Sequence, residues 1–119
     1  MSAHNRRLGA WGEQTAVDFL AGRGYEIVDR NVRTPYGEID IVARLGELTV
    51  FVEVKARLSA SMGLPEDSIT ARKRAHLVGA AQHYASEHGI DSWQIDAVSV
   101  EGQAGAPPRI THFENAVSE

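Results

Sequence analysis

Cysteine is absent from the 119-residue chain, which removes thiolate zinc sites, iron–sulfur clusters, thiol nucleophiles and any disulfide framework together. Aromatic residues make up only 7%, and no apolar run reaches the roughly 18 residues of a membrane span. Met1–Arg7 lacks the apolar stretch of a secretion signal, so a cytoplasmic protein without membrane contact is expected. Internal repeats and low-complexity tracts are missing as well. The balance of 43% hydrophobic and 24% charged residues is that of one globular domain over residues 1–119. A chain of this length buries roughly two-thirds of its unfolded surface and needs no covalent staple. No G-x-S-x-G, Walker A or dinucleotide-binding pattern occurs, which leaves acyl transfer, nucleotide hydrolysis and hydride transfer without support.

The formal charge of −4 argues against a generic nucleic-acid coat, yet its distribution is uneven. Residues 1–74 hold 11 of the 12 Lys and Arg against 10 acids, whereas residues 75–119 hold one against six. A polyanion is expected to meet the first part.

Helical spacing of Leu8, Trp11, Thr15, Ala16, Phe19 and Leu20 predicts a first helix over about 5–23, with Gly24 as its stop. Tyr25 to Val32 reads as a strand that ends before the turn signal Thr34-Pro35-Tyr36-Gly37. Glu38–Leu45 and Leu48–Arg57 are rich in β-branched residues, and Gly46-Glu47 between them predicts a hairpin. Leu58 to Asp67 reads as an irregular loop, after which Ser68 or Thr70 caps a second helix that Gly89 ends near His88. Leu77, Val78, Ala81, Tyr84, Ala85 and His88 form its packing face. Trp93–Val100 and Arg109–Phe113 supply two further strands, with Gly102–Pro108 as a loop between them. The order is α-β-β-β-α-β-β, an α/β fold with a mixed sheet under helical cover.

Closing the hairpin on Leu45 and Leu48 pairs Ile39 with Val54, Ile41 with Val52 and Ala43 with Val50, giving one apolar side. The other side then brings Glu38 opposite Lys55 and Asp40 opposite Glu53, with Val42 and Phe51 next to them. Two facing carboxylates repel unless a proton or a cation lies between them. Carboxylate oxygens, a backbone carbonyl such as that of Val54, and water suit hard Mg²⁺ or Mn²⁺ rather than zinc. Lys55 is placed to orient a water or to stabilise charge on a phosphate. Glu13 joins this set from the edge of the first helix's apolar stripe, where a carboxylate needs a partner. Gly9 and Gly12, each about 1 kcal/mol worse than Ala in a helix, suggest close approach of that helix to the sheet. The bland alternative is a solvated amphipathic face carrying ordinary ion pairs.

Four ordered segments, Gly9-Ala10-Trp11-Gly12-Glu13, Arg30-Asn31-Val32-Arg33, Gly37-Glu38-Ile39-Asp40 and Phe51-Val52-Glu53-Val54-Lys55-Ala56-Arg57, closely resemble the YraN family of bacterial predicted endonucleases. That family resembles archaeal Holliday-junction resolvases and the PD-(D/E)XK nucleases, whose metal site joins an Asp to a Glu-x-Lys on the next strand. The resemblance implies a restriction-endonuclease-like fold. It also implies Asp40 and Glu53 as metal ligands, Glu13 as a helix-borne ligand acting directly or through water, and Lys55 as their catalytic companion. Ile110-Thr111-His112, Asn115 and Ala116 fit the family's C-terminal pattern, while Gln94-Ile95-Asp96 stands where it commonly has Arg-Phe-Asp.

Arg72-Lys73-Arg74 lies in the first turn of the second helix, where positive charge opposes the helix dipole and a nucleic-acid phosphate would relieve it. Lys73 also resembles a recurrent family position. Arg33 and Arg57, with Arg6 and Arg7, are expected to extend this basic rim. Tyr36 reads equally as a base-stacking residue or as loop filling. His4, His76, His83, His88 and His112 show no metal spacing, and most of them read as surface or boundary residues; Trp11 and Trp93 read as core.

Three functions follow. The first is a metal-dependent endonuclease acting on DNA, on branched or single-stranded structures. The second is a nucleic-acid-binding or adaptor module on the same scaffold. The third is a structural domain with a solvated acidic face. Resolvases commonly pair two sites, which raises a homodimer as an option, although no dimer surface is evident from the residues.

Overall fold

The computed structural model describes residues 3–58 and 70–117, with the side chains of residues 3–5 left aside. Helix α1 (Ala3–Gly22) leads into strands β1 (Glu26–Thr34), β2 (Gly37–Leu45) and β3 (Leu48–Arg57); helix α2 (Ala71–His88) then precedes β4 (Trp93–Gln103) and β5 (Ala106–Val117). The predicted order and the mixed sheet are both present. The five strands lie side by side in sequence order, antiparallel throughout except for β3 and β4, which run parallel. A parallel neighbour requires a crossover, and α2 lies in that connection.

The helix ends follow their residues. Gly24 adopts φ 91°, which lets Tyr25 N–H reach Leu20 O and Gly24 N–H reach Ala21 O, closing α1 two residues after its last helical one. Thr70 caps α2 by accepting from Lys73 N–H at 3.2 Å. Ser68, the other predicted cap, and the predicted loop beyond Leu58 lie outside the described residues.

The two helices cover opposite faces of the sheet. Ala16 and Leu20 of α1 pack on Ile41, Ala43, Val50 and Val52, and Leu77, Ala81 and Tyr84 of α2 pack on Val42, Phe51 and Ile95. The middle of the hairpin is therefore buried on both sides, as expected of a strand pair inside a two-layer cover. His88, predicted on the packing face of α2, is exposed instead; its ring stacks on Tyr84 at 3.9 Å, with Nδ1 2.9 Å from that residue's carbonyl oxygen.

Two differences alter the sheet's outline. The segment from Gly102 to Pro108 is a continuation of both strands, turning at Ala104-Gly105, because β5 is an edge strand where Pro107 and Pro108 need not donate to a neighbour. The predicted hairpin closure at Leu45↔Leu48 is present, but the ladder stops at Ile41↔Val52. Beyond that point Ile39 packs toward α2 while Ile41 packs toward α1, so alternation breaks at Asp40. The cross-strand pairs predicted for Glu38 with Lys55 and Asp40 with Glu53 are absent from the ladder, since β2 and β3 part there.

Candidate functional site

The break in alternation directs Asp40 into the parting of β2 and β3. Its Oδ2 accepts from Val54 N–H at 2.8 Å, so the side chain takes up a donor that a continued ladder would have used. Burial, the nearby Glu53 carboxylate, and then Glu13 and Glu38 push the Asp40 carboxyl up to about 7, against the Val54 N–H that lowers it. Three carboxylates thus act on the one partly buried Asp40.

Each helix brings one charged group to this parting. Gly12 lets α1 lie close on β3, for a Cβ there would stand 2.5 Å from the Ala56 Cβ. Gly9 has no such neighbour, so the close-approach reading holds at Gly12 and fails at Gly9. One residue on, the Glu13 side chain is only 13% exposed and its Oε1 lies 3.1 Å from both Arg30 Nε and Nη2 and 3.0 Å from Asn31 Nδ2. Arg30 also reaches Gln14 Oε1 at 3.0 Å, which fixes the guanidinium. From the other face, Lys73 Nζ lies 2.6 Å from Glu53 Oε1, whose side chain is 12% exposed.

Two connected hollows flank the acids. Glu13, Arg30, Arg33, Asp40 and Lys55 line a groove of about 860 Å³ on the α1 side. Glu53 and His76 line a smaller one of about 340 Å³ on the α2 side, and Glu38, Asp40 and Lys73 belong to both. The larger groove has five cationic lining residues, Arg6, Arg30, Arg33, Lys55 and Lys73, against three acids, Glu13, Glu38 and Asp40. Cations thus outnumber acids along its lining, which suits a phosphate approaching carboxylates.

The structure brings Glu13, Asp40, Glu53 and Lys55 to this one region and adds Arg33 at the groove wall. Lys73, read from sequence as a rim cation, is the ion-pair partner of Glu53. Arg57 is only 7% exposed and lines neither hollow, so burial sets it apart from the rim; Arg72 is exposed in the first turn of α2 and also lines neither. Among the described residues no group of three or more His, Asp or Glu is disposed to hold a metal ion; Glu13 pairs with Arg30 and Glu53 with Lys73. The side-chain donors gathered there are hard oxygens, and the Asp40 carboxyl is raised by its burial first and by the Glu53 carboxylate second.

Sequence reasoning gave Arg30 no place at the site, although it stands directly before Asn31, which is left-handed at φ 51° and shares Glu13 with it. It also missed a buried polar knot on β4 and β5. Asp96 is wholly buried and accepts from His112 Nε2 at 2.7 Å, Gln94 Nε2 at 2.8 Å and Asn115 N–H at 2.8 Å. His112 is a boundary residue whose side chain, only 9% exposed, is wedged against Phe19 and Tyr25, a buried partnership that its sequence position did not reveal. The signal was the lone acid amid Ile95, Ala97 and Val98, which needed a partner from elsewhere in the chain. Trp93, read as core, is partly buried against Phe51 at the edge of the α2-side core, whereas Trp11, also read as core, is 38% exposed.

Comparison with known proteins supplies the family. The model of the uncharacterised protein family UPF0102 matches residues 12–100, the stretch that holds every acid described above. A UPF0102 protein of Dehalococcoides mccartyi is 42% identical over 120 residues, covering 98% of both chains. One from Roseiflexus castenholzii is 42% identical over 123 residues, covering 100% of this chain and 99% of its own. Among solved structures, Pyrococcus furiosus SfsA in complex with Ca²⁺ aligns with a TM-score of 0.38 at 15% identity, over 97% of this chain and 65% of that one; so loose a likeness carries no inference. With a family model spanning most of its length and relatives matched end to end, the chain belongs to the UPF0102 family.

Proposed function

We propose that the protein is a metal-dependent endonuclease that hydrolyses DNA phosphodiester bonds, acting on branched or single-stranded structures. The observation that carries this reading is Asp40: a half-buried carboxyl raised to about 7 by burial and by Glu53, at the base of a groove with a cationic rim. Asp40 and Glu53 would hold Mg²⁺ or Mn²⁺, with Glu13 reaching it through water. Such an ion supplies Lewis-acid polarisation of the phosphate and a more acidic water. Lys55, exposed on the groove wall, is positioned to steady a water or the charge that develops on the phosphate. Arg33 and Arg72 would hold flanking phosphates, and Arg30 keeps Glu13 in place. The cytoplasm is the setting this reading implies, and a pair of chains is the arrangement that cutting two strands would call for.

One observation favours a second reading, a nucleic-acid-binding or adaptor module without turnover. The Lys73 ammonium already neutralises Glu53 at 2.6 Å, as a retired metal site would look. Incubation with Mg²⁺ or Mn²⁺ and a panel of linear, flapped and four-way DNA separates the two. Cleavage by the wild type and not by Asp40→Ala supports the nuclease. Salt-sensitive binding with no cleavage by either supports the adaptor.

A further inference from the structure

Trp11 lies two residues before the Glu13 of the acid groove, yet it faces a different space. With Arg7, Leu8, Leu58, Gly102 and Gln103 it lines a mostly apolar hollow of about 580 Å³ between α1 and the β4–β5 hairpin. The indole edge rests on Gly102, where a Cβ would stand 3.5 Å from Trp11 Cη2 and 3.4 Å from Leu58 Cδ2. The hollow stays open on that wall because glycine has no side chain to place there. Leu8 lines both this hollow and the acid groove, so the two adjoin at that residue of α1.

We infer that this hollow is a subsite for one unpaired nucleobase of the strand whose phosphate lies in the acid groove. The inference rests on the nucleic-acid reading above and narrows it to substrates with unpaired nucleotides. Three features favour a base over an apolar side chain of a protein partner. A half-exposed indole is a planar platform, and any base can stack on it. Arg7 is the sole charged lining residue among those described, and it is cationic, which matches the phosphate that accompanies a base. Gln103 lines the hollow and donates from Nε2 to Pro107 O at 2.9 Å, which leaves its Oε1 as the amide atom able to accept from a base-edge N–H. A base inside a duplex cannot enter such a hollow without leaving its stack.

The test is intrinsic fluorescence of the full chain in chelator, titrated with a short oligothymidylate and, separately, with a blunt duplex of equal length. The single strand is expected to quench Trp11 emission. Trp11→Ala should weaken single-strand binding about tenfold while duplex affinity stays unchanged, and Trp11→Phe should retain most of it. Gly102→Val, which fills the hollow from the opposite wall with Trp11 in place, should produce the same selective loss. Single-strand affinity equal to wild type in both Trp11→Ala and Gly102→Val, with no quenching, overturns the subsite while duplex binding and cleavage leave the nuclease reading intact. Failure of the wild type to bind either DNA overturns both.

Discussion

Lys73 on α2 and Glu53 on β3 form an ion pair of 2.6 Å across the face of the sheet that α1 leaves uncovered. A dication at Asp40 and Glu53 would have to compete with that ammonium. Lys73→Met is therefore expected to tighten Mn²⁺ binding several-fold while lowering metal-free stability by about 1 kcal/mol, since Glu53 loses its counter-ion. Titration calorimetry and thermal unfolding, done side by side, read the two effects. Weaker Mn²⁺ binding in the variant would mean that Lys73 supports the ligand set instead of opposing it.

Asp40 gives stability a pH dependence of definite sign. Between about pH 4 and about 7 the folded chain keeps a proton on Asp40 that the unfolded chain has released, so stability falls as pH rises through that window and stays lowered above it. Asp40→Asn retains an oxygen to accept from Val54 N–H and removes the charge. It should be more stable than wild type by about 2–4 kcal/mol at pH 8 without divalent ions, with the difference gone near pH 4. Added Mn²⁺ should close the gap at pH 8 by stabilising the wild type alone. Urea unfolding at the two pH values measures this, and an equal offset at both would remove titration as the cause.

Gly9 and Gly12 lie three residues apart in α1 but differ in what surrounds them. Gly12→Ala forces a methyl to within 2.5 Å of Ala56 Cβ and should destabilise by about 1–3 kcal/mol despite better helix propensity. Gly9→Ala meets nothing within 4 Å and should stabilise by up to about 1 kcal/mol. Denaturant midpoints of the two variants should move in opposite directions.

The buried Asp96 depends on His112 for its shortest contact, at 2.7 Å. His112→Ala leaves Asp96 with Gln94 and Asn115 as donors and opens space beside Phe19 and Tyr25; a loss of about 3 kcal/mol is expected. Wild-type stability in that variant, measured by denaturant unfolding, would show that the knot contributes nothing to the fold.

Much of the fold was legible because its cues are local. Period-two runs marked β2 and β3, Gly46 marked the turn between them, and Gly24 and Gly89 marked the helix ends. What could not be read were relationships set by tertiary geometry. Strict alternation predicts Asp40 opposite Glu53, but the ladder ends at Ile41↔Val52 and the strands part. Lys73 looked like a phosphate contact because nothing in its neighbourhood along the chain says that α2 lays it over Glu53. Arg57 and Trp11 failed in opposite directions, one buried and one exposed, since strand and helix periodicity give a face without saying what covers it.

The acid cluster is held from both layers at once, with Glu13 contributed by one helix and the Lys73 counter-charge by the other. Neither helix supplies both groups, so loosening of either one would dismantle the cluster even with the sheet intact. Any activity that resides there should accordingly vanish at a lower temperature than the bulk unfolding transition, making function the earliest casualty of partial denaturation.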